Sequence, residues 1–303
     1  MSLSPVPVSV LIPVKNEEAN IGECIGSVLW AGEIVLVDSG SADRTCEIAR
    51  HLGAVVRQFQ YVPGGPKKKN WALENIPFLH DWVLILDADE RITPALAQEI
   101  AATVADPGAA VGFYVNRRFF FLGRWIRRAG YFPSWNMRLF KRGRGFYERI
   151  VDTDTRSGDN EVHEHVILDG PAGRLRHVMD HFAFPSIEVF IEKHNRYSNW
   201  EALLRRRAAE PLKSAGGADS VQSAHNLRRR LKRIGRALPF PHWLRFFYHF
   251  YWKLGFLDGA AGYIFCHLLA EYEFWIWAKG RERPAASAGG HPMSGVSDHV
   301  LHQ

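Results

Sequence analysis

The run Val83-Leu-Ile-Leu-Asp-Ala-Asp-Glu90 ends four aliphatic residues with three carboxylates in four positions. Preceded by Trp82, the apolar part reads as a strand buried on both faces, of the kind found in a parallel sheet covered by helices. Asp87 and Asp89 flank one residue, so in extended geometry they point the same way, and Glu90 begins the departure toward Thr93-Pro94 and a helix. Like charges that close raise each other's pKa unless a cation sits between them. A divalent metal is the simplest remedy.

Two further strand ends carry suggestive residues: Pro13-Val14-Lys15-Asn16-Glu17 after the first apolar run and Asp38-Ser39-Gly40-Ser41 after the second. In open α/β sheets ligands bind beyond the carboxyl ends of strands, beside a switch in strand order, so the three ends would line one rim. Asp38 is placed to accept from a pyrimidine imide or a ribose hydroxyl, and Lys67, Lys68 and Lys69 to meet phosphate oxygens. The plainer reading makes Asp38 a helix cap and the lysines a solvated loop.

The elements that would hold these residues follow from periodicity. Val8–Val14 is strand-like, and the helix opened at Asn16 has the apolar stripe Ile21, Ile25, Val28 and Leu29. Residues 33–38 are a second strand, a capped helix follows with Ile48 and Leu52 inward, and 54–59 a third strand. Strands separated by helices imply crossovers and a mostly parallel sheet of nucleotide-binding type, with helices on both faces. A helix is expected from about Pro94 to Val104, a strand or strand pair over 111–123, antiparallel strands from 136 and across 162–168, and a helix over 186–209 capped by Ser186. At 303 residues with 47% hydrophobic content the chain can bury a large core, and a net charge of +6 suggests anionic partners. Three widely spaced cysteines and no evident leader fit a reducing, cytoplasmic setting.

The segments 8–49, Lys67-Lys-Lys-Asn-Trp-Ala-Leu-Glu74 and VLILDADE together resemble glycosyltransferase family 2 enzymes of the GT-A fold. That resemblance implies a nucleotide-sugar donor lying across the strand ends, with an Asp-x-Asp-type motif holding Mg²⁺ or Mn²⁺ against the diphosphate. It also implies that Pro13, Val14 and Glu17 border base and ribose, that Asp38 contacts the base, that Asp87 lies near the ribose, and that Asp89 binds metal; Lys69 is the substrate-binding residue of the three lysines.

Val162-His163-Glu164-His165-Val166, Asp180-His181-Phe182 and the helical Lys193-His-Asn-Arg-Tyr197 are similar to members that add sugars to lipopolysaccharide core or related cell-surface glycans. The likeness implies an inverting transfer with Glu164 as general base, His181 completing the metal shell, and a glycolipid or polysaccharide acceptor. Residues 1–110 would form the nucleotide-sugar half and 111–210 the acceptor half of one domain. The Gln-x-x-Arg-Trp motif of processive synthases is missing around Ser134-Trp-Asn-Met-Arg138, which favours one sugar per encounter.

Residues 221–282 join basic clusters to Trp243-Leu-Arg-Phe-Phe-Tyr-His-Phe-Tyr-Trp252, a composition suited to an anionic membrane surface at the inner face of the plasma membrane. The longest uncharged piece, 259–270, is too short to span. The alternative packs the aromatics on the catalytic domain. Residues 283–303 read as a disordered tail. Nucleic acid would satisfy the charge but leaves the Asp-x-Asp rim unexplained. The rival readings are a sugar-nucleotidyltransferase, whose GxGTR loop is absent after the first strand, and a non-catalytic membrane scaffold.

Overall fold

Val8, Val10, Ile12 and Val14 fall on one face of the first strand and Leu11 on the other, all fully buried or nearly so, because a strand alternates its side chains between two faces. The computed structural model describes residues 5–148, 165–209 and 240–282. Parallel strands β1 (Val6–Val14), β2 (Ala31–Asp38), β3 (Val55–Gln58) and β4 (Trp82–Ile85) stand in the order 3-2-1-4. Helices α1 (Glu18–Gly26), α2 (Thr45–His51) and α4 (Pro94–Ala105) cover one face, and α3 (Lys68–Asn75) covers the other. The aliphatic runs that announced the strands are therefore buried twice over, as expected of a parallel sheet between helical layers.

Beyond β4 the sheet becomes mixed. Its order continues through β8 (Trp135–Lys141), β6 (Gly112–Phe121), β11 (Ala172–Phe184) and β5 (Glu90–Ile92), with β7 (Arg124–Trp125) hairpinned onto β6. Residues 86–89 alone bridge β4 to β5, four places apart in that order, and the sheet curls around this bridge. A two-stranded antiparallel sheet pairs β9 (Gly145–Tyr147) with β10 (Val166–Leu168). This is the α/β architecture that the GT-A resemblance implies.

Some local expectations change. Leu29, placed on the buried stripe of α1, is 58% exposed, because the helix ends at Gly26 and its periodicity ends with it. The three lysines read as loop residues run into α3, which begins at Lys68. Ser186 does cap α5 (Ile187–Ala209), its Oγ accepting from the Val189 amide at 3.2 Å.

The C-terminal third forms a further layer. The helix α6 (Pro241–Phe247), a π turn (Tyr248–Trp252), a 3₁₀ turn (Gly255–Asp258) and α7 (Gly259–Lys279) pack with α5 against the ends of β6 and β11. Phe119, Phe121, Phe190, Phe265 and Leu269 form that cluster's core. Part of the aromatic content thus packs on the sheet. Glycine allows the contact: a Cβ on Gly262 would meet the Gly255 carbonyl oxygen at 2.2 Å. Among the described residues no helix is long and apolar enough to cross a membrane. The segment 210–239 with its basic run, and the tail from 283, lie outside the described residues.

Candidate active site

The chain leaves β1 toward β2 on one side and returns later to β4 on the other, so the reversal of strand order falls between β1 and β4. Crevices form at such reversals. A cleft of about 650 Å³ opens there, bounded by Pro13 and Glu17 from the β1 exit, Lys68 and Lys69 from α3, and Asp87, Ala88 and Asp89 from the β4 bridge. Its far wall comes from the mixed half of the sheet and from α5: Tyr114, Arg117, Trp135, Arg138, His181 and Lys193, among others.

The β1 exit is shaped by Asn16, whose φ of 55° is one that asparagine tolerates better than most residues. Its amide donates to Ser41 Oγ at 2.8 Å and its Oδ1 accepts from the Ala42 amide at 2.8 Å, which ties the first strand end to the second. Burial raises the pKa of Glu17; a hydrogen bond from Asn20 opposes the rise, and Asp89 and Asp87 add to it. Three carboxylates therefore address one space.

Asp38 sits one strand farther from the reversal and is not part of the cleft wall. Its carboxylate accepts from the amides of Gly40 and Ser41 at 3.2 and 3.1 Å and from Ser41 Oγ at 2.5 Å. Burial alone would raise its pKa; these bonds, with Cys46 and Gln58, outweigh burial and lower it. Val14 contributes its carbonyl, which accepts from Lys68 Nζ at 2.8 Å.

The bridge 86–89 carries the charge that the sequence posed as a problem, and the fold balances it in two ways. Arg138 Nη2 lies 2.5 Å from Asp87 Oδ2 and 2.5 Å from Glu90 Oε1, while Lys69 Nζ stands 3.1 Å from Asp87 Oδ1. Glu90 is fully buried and also meets Arg117 Nη1 at 3.3 Å. Burial works to raise the Asp87 pKa, but Arg138 and Lys69 hold it well below the usual carboxylate range. For Asp87 and Glu90, then, the neutralising cation is a guanidinium rather than the metal expected from spacing alone.

Asp89 is balanced differently. Its Oδ1 lies 3.4 Å from His181 Nε2, and its backbone oxygen accepts from the Phe182 amide at 2.8 Å. The register of β11 against β5, which sets His181 opposite Glu90, brings the two together across 92 residues of sequence. Burial again pushes the Asp89 pKa up, and His181 more than compensates, leaving it low. Two ligands each about 2.1 Å from one ion, at an angle between square and tetrahedral, lie roughly 3.0–3.4 Å apart. The pair fits a divalent ion as two of its ligands. Among the described residues no third His, Cys, Asp or Glu joins them, so the remaining positions would be open to substrate oxygens or water.

Lys193 and Tyr197, one helical turn apart on α5, both line the cleft, and Lys193 Nζ donates to the Ala183 carbonyl at 3.2 Å. Glu164 lies outside the described residues; its chain neighbour His165 is on the cleft wall. Sequence reasoning passed over Arg138 and Arg117. The signal for Arg138 was a charge set inside the apolar run Met137-Arg-Leu-Phe140, which is costly unless paired.

The family pattern described as Glycosyl transferase family 2 matches residues 9–196. The lipopolysaccharide core biosynthesis glycosyltransferase LpsC of Rhizobium meliloti is 33% identical over 203 residues, which span 65% of this chain and 71% of LpsC. An uncharacterized glycosyltransferase of Rickettsia felis is 30% identical over 199 residues, spanning 64% of this chain and 69% of the relative. Among solved structures, S. aureus TarS aligns with a TM-score of 0.41 at 17% identity, covering 84% of this chain and 45% of TarS.

Proposed function

The chain belongs to glycosyltransferase family 2, and from that membership we propose that it moves one sugar from a nucleotide-sugar, a UDP-sugar, to a glycolipid or polysaccharide acceptor in cell-envelope glycan synthesis. The transfer is inverting and depends on Mg²⁺ or Mn²⁺. The supporting observation is the Asp89–His181 pair, two buried metal-type ligands 3.4 Å apart on the wall of a cleft at the strand-order reversal. When bound, the ion supplies Lewis-acid stabilisation of charge developing on the leaving nucleoside diphosphate.

The chain's own residues do the rest. Lys69 flanks Asp87 on the donor side and is positioned to exchange that carboxylate for a phosphate oxygen. Pro13, Val14 and Glu17 border the base and ribose, Asp38 contacts the base from the neighbouring strand end, and Asp87 lies near the ribose. Glu164 takes the proton of the acceptor hydroxyl as its oxygen bonds to the anomeric carbon and the bond to the diphosphate oxygen breaks. This role rests on the Val-His-Glu likeness. The lipopolysaccharide-type acceptor rests on the likeness to LpsC, and action at the inner face of the plasma membrane on the exposed aromatic surface of the C-terminal layer.

The test is a calorimetric titration of the protein with UDP, GDP, dTDP and CDP, each with Mn²⁺ and with EDTA. Binding of UDP that disappears with EDTA and in Asp89→Ala is the expected result. Absence of any nucleotide binding by folded protein in Mn²⁺ overturns the reading.

A further inference from the structure

Twelve of the twenty-two exposed large apolar side chains among the described residues fall between Phe240 and Phe274. Six of them, Trp243, Leu244, Phe247, Tyr248, Tyr251 and Trp252, recur at spacings of one and four along α6 and the π turn, which sets them in one stripe. The opposite side of the same turns faces the protein: Phe246 and Phe250 pack on the C-terminal core, and His249 Nδ1 bonds the Ala129 carbonyl at 2.7 Å. The helix is thus apolar inside and apolar outside. A contiguous outer stripe of that size is not left bare in water without a partner.

The charges around the stripe have one sign. Exposed Lys253 follows it directly, and Arg124, Arg127 and Arg128 are exposed on the β7 hairpin and the loop after it. That loop is clamped to the segment: the amides of Arg127 and Arg128 donate to the Asp258 carboxylate at 3.3 and 2.8 Å, and the Ala129 amide to the Lys253 carbonyl at 3.0 Å. Asp258 is the sole carboxylate in residues 240–270, and it is buried. In sequence, the stripe is preceded by Arg228, Arg229, Arg230, Lys232, Arg233 and Arg236.

We propose that this stripe is the membrane-seating surface of the enzyme, with its Trp and Tyr rings in the interface of an anionic bilayer and the arginine loop against the lipid phosphates. Amphipathic aromatic rings favour that depth, and flanking cations add attraction that is specific to anionic lipid. The clamped loop runs within a few residues into Trp135–Arg138 of the cleft wall, so the same contact holds the acceptor side of the cleft close to the bilayer. This inference deepens the membrane-face reading above by naming its surface, and it requires neither the metal nor the base.

The experiment sediments the full chain with phosphatidylcholine vesicles and with vesicles containing 30% phosphatidylglycerol. The protein is expected to pellet with the anionic vesicles and to be released by high salt. Phe247→Gln/Trp252→Gln weakens binding by roughly tenfold per ring, and Arg127→Gln/Arg128→Gln by about fivefold per charge on the anionic vesicles alone. Binding of UDP with Mn²⁺ by both variants shows that they are folded. Failure of the full chain to pellet with anionic vesicles overturns the proposal, as does unchanged binding by both variants. Concentration-dependent dimerisation lost in Phe247→Gln/Trp252→Gln, without vesicle binding, overturns it in favour of a second copy of the chain. Vesicle binding by a protein that takes no nucleotide leaves the proposal standing and sinks the transferase reading instead.

Discussion

One guanidinium nitrogen of Arg138 sits 2.5 Å from both Asp87 and Glu90, and so fixes the bridge that carries Asp89. Arg138 and Glu90 are both buried, while Asp87 opens partly onto the cleft. Removing one partner of a buried ion pair leaves charge without compensation. Arg138→Ala should therefore destabilise the fold by about 3–5 kcal/mol in urea unfolding. Loss of less than about 1 kcal/mol would mean that Lys69 and Arg117 suffice to balance the bridge.

The Asp89–His181 pair makes a separate prediction. Asp89→Asn and His181→Ala should each lower Mn²⁺-dependent turnover by about a hundredfold or more and abolish the metal dependence of UDP binding. Because the folded Asp89 pKa is lowered, ionised Asp89 stabilises the fold at neutral pH. That contribution is present above the unfolded value of about 4 and lost as pH falls through the folded value. Asp89→Asn should therefore melt below the parent at pH 7 and approach it in acid. An Asn variant that keeps EDTA-sensitive nucleotide binding would remove Asp89 from the metal site.

The parallel half of the fold was legible because β1, β2 and β4 each contain an aliphatic run, residues 10–12, 34–37 and 83–86, the last extending past β4, which few other environments would accept. The long strand β11 was not. Arg174, His177, Asp180 and His181 interrupt its apolar pattern, since it crosses from an exposed edge to the cleft and its charges are met elsewhere, Asp180 by Arg118 at 2.5 and 2.9 Å and His177 by Glu99 at 2.9 Å. The same reasoning explains the site. Asp87 and Asp89 stood out as charges after a buried strand. Their partners, Arg138 for Asp87 and His181 for Asp89, come from 51 and 92 residues downstream, and no local pattern connects them. Asp38 was legible as a charge at a strand end; the strand order, which sequence does not print, sets it one strand farther from the reversal than Asp87 and Asp89.

Glu164 is tested by Glu164→Gln, which keeps the shape and removes the basicity. Loss of general-base catalysis should lower kcat by about 10²–10⁴ while UDP affinity stays within twofold of the parent. A parallel loss of nucleotide affinity would assign Glu164 to donor binding. Unchanged kcat would return the search for a base to the carboxylates already on the cleft wall, Glu17 first among them.

Glu17 also predicts a pH dependence of opposite sign to Asp89. Its folded pKa is raised above 4.5, chiefly by burial, so the folded state favours the protonated form. The stabilisation is complete below the unfolded value and is lost as pH rises through the folded one. Glu17→Gln, neutral at every pH, should raise the melting temperature at pH 7 by about 2 °C and leave it unchanged near pH 4. Differential scanning calorimetry at the two pH values decides this; an equal shift at both would place the effect in packing rather than charge.

Gly262 tests whether the C-terminal layer is one cooperative unit with the catalytic sheet. A Cβ there would stand 2.2 Å from the Gly255 carbonyl oxygen and 2.7 Å from Asp258 Cβ, so Gly262→Val must push α7 away from the 3₁₀ turn. Asp258 holds the amides of Arg127 and Arg128, and α7 packs Phe265 onto Phe119 and Phe121 of β6, the strand that also carries Arg117 to the cleft. The displacement should cost about 1–3 kcal/mol, read as a single urea transition moved to lower midpoint with its slope unchanged, and should weaken nucleotide binding in step. Two separated transitions, the second with the parent midpoint and intact UDP binding, would show that residues 240–282 fold as a unit apart.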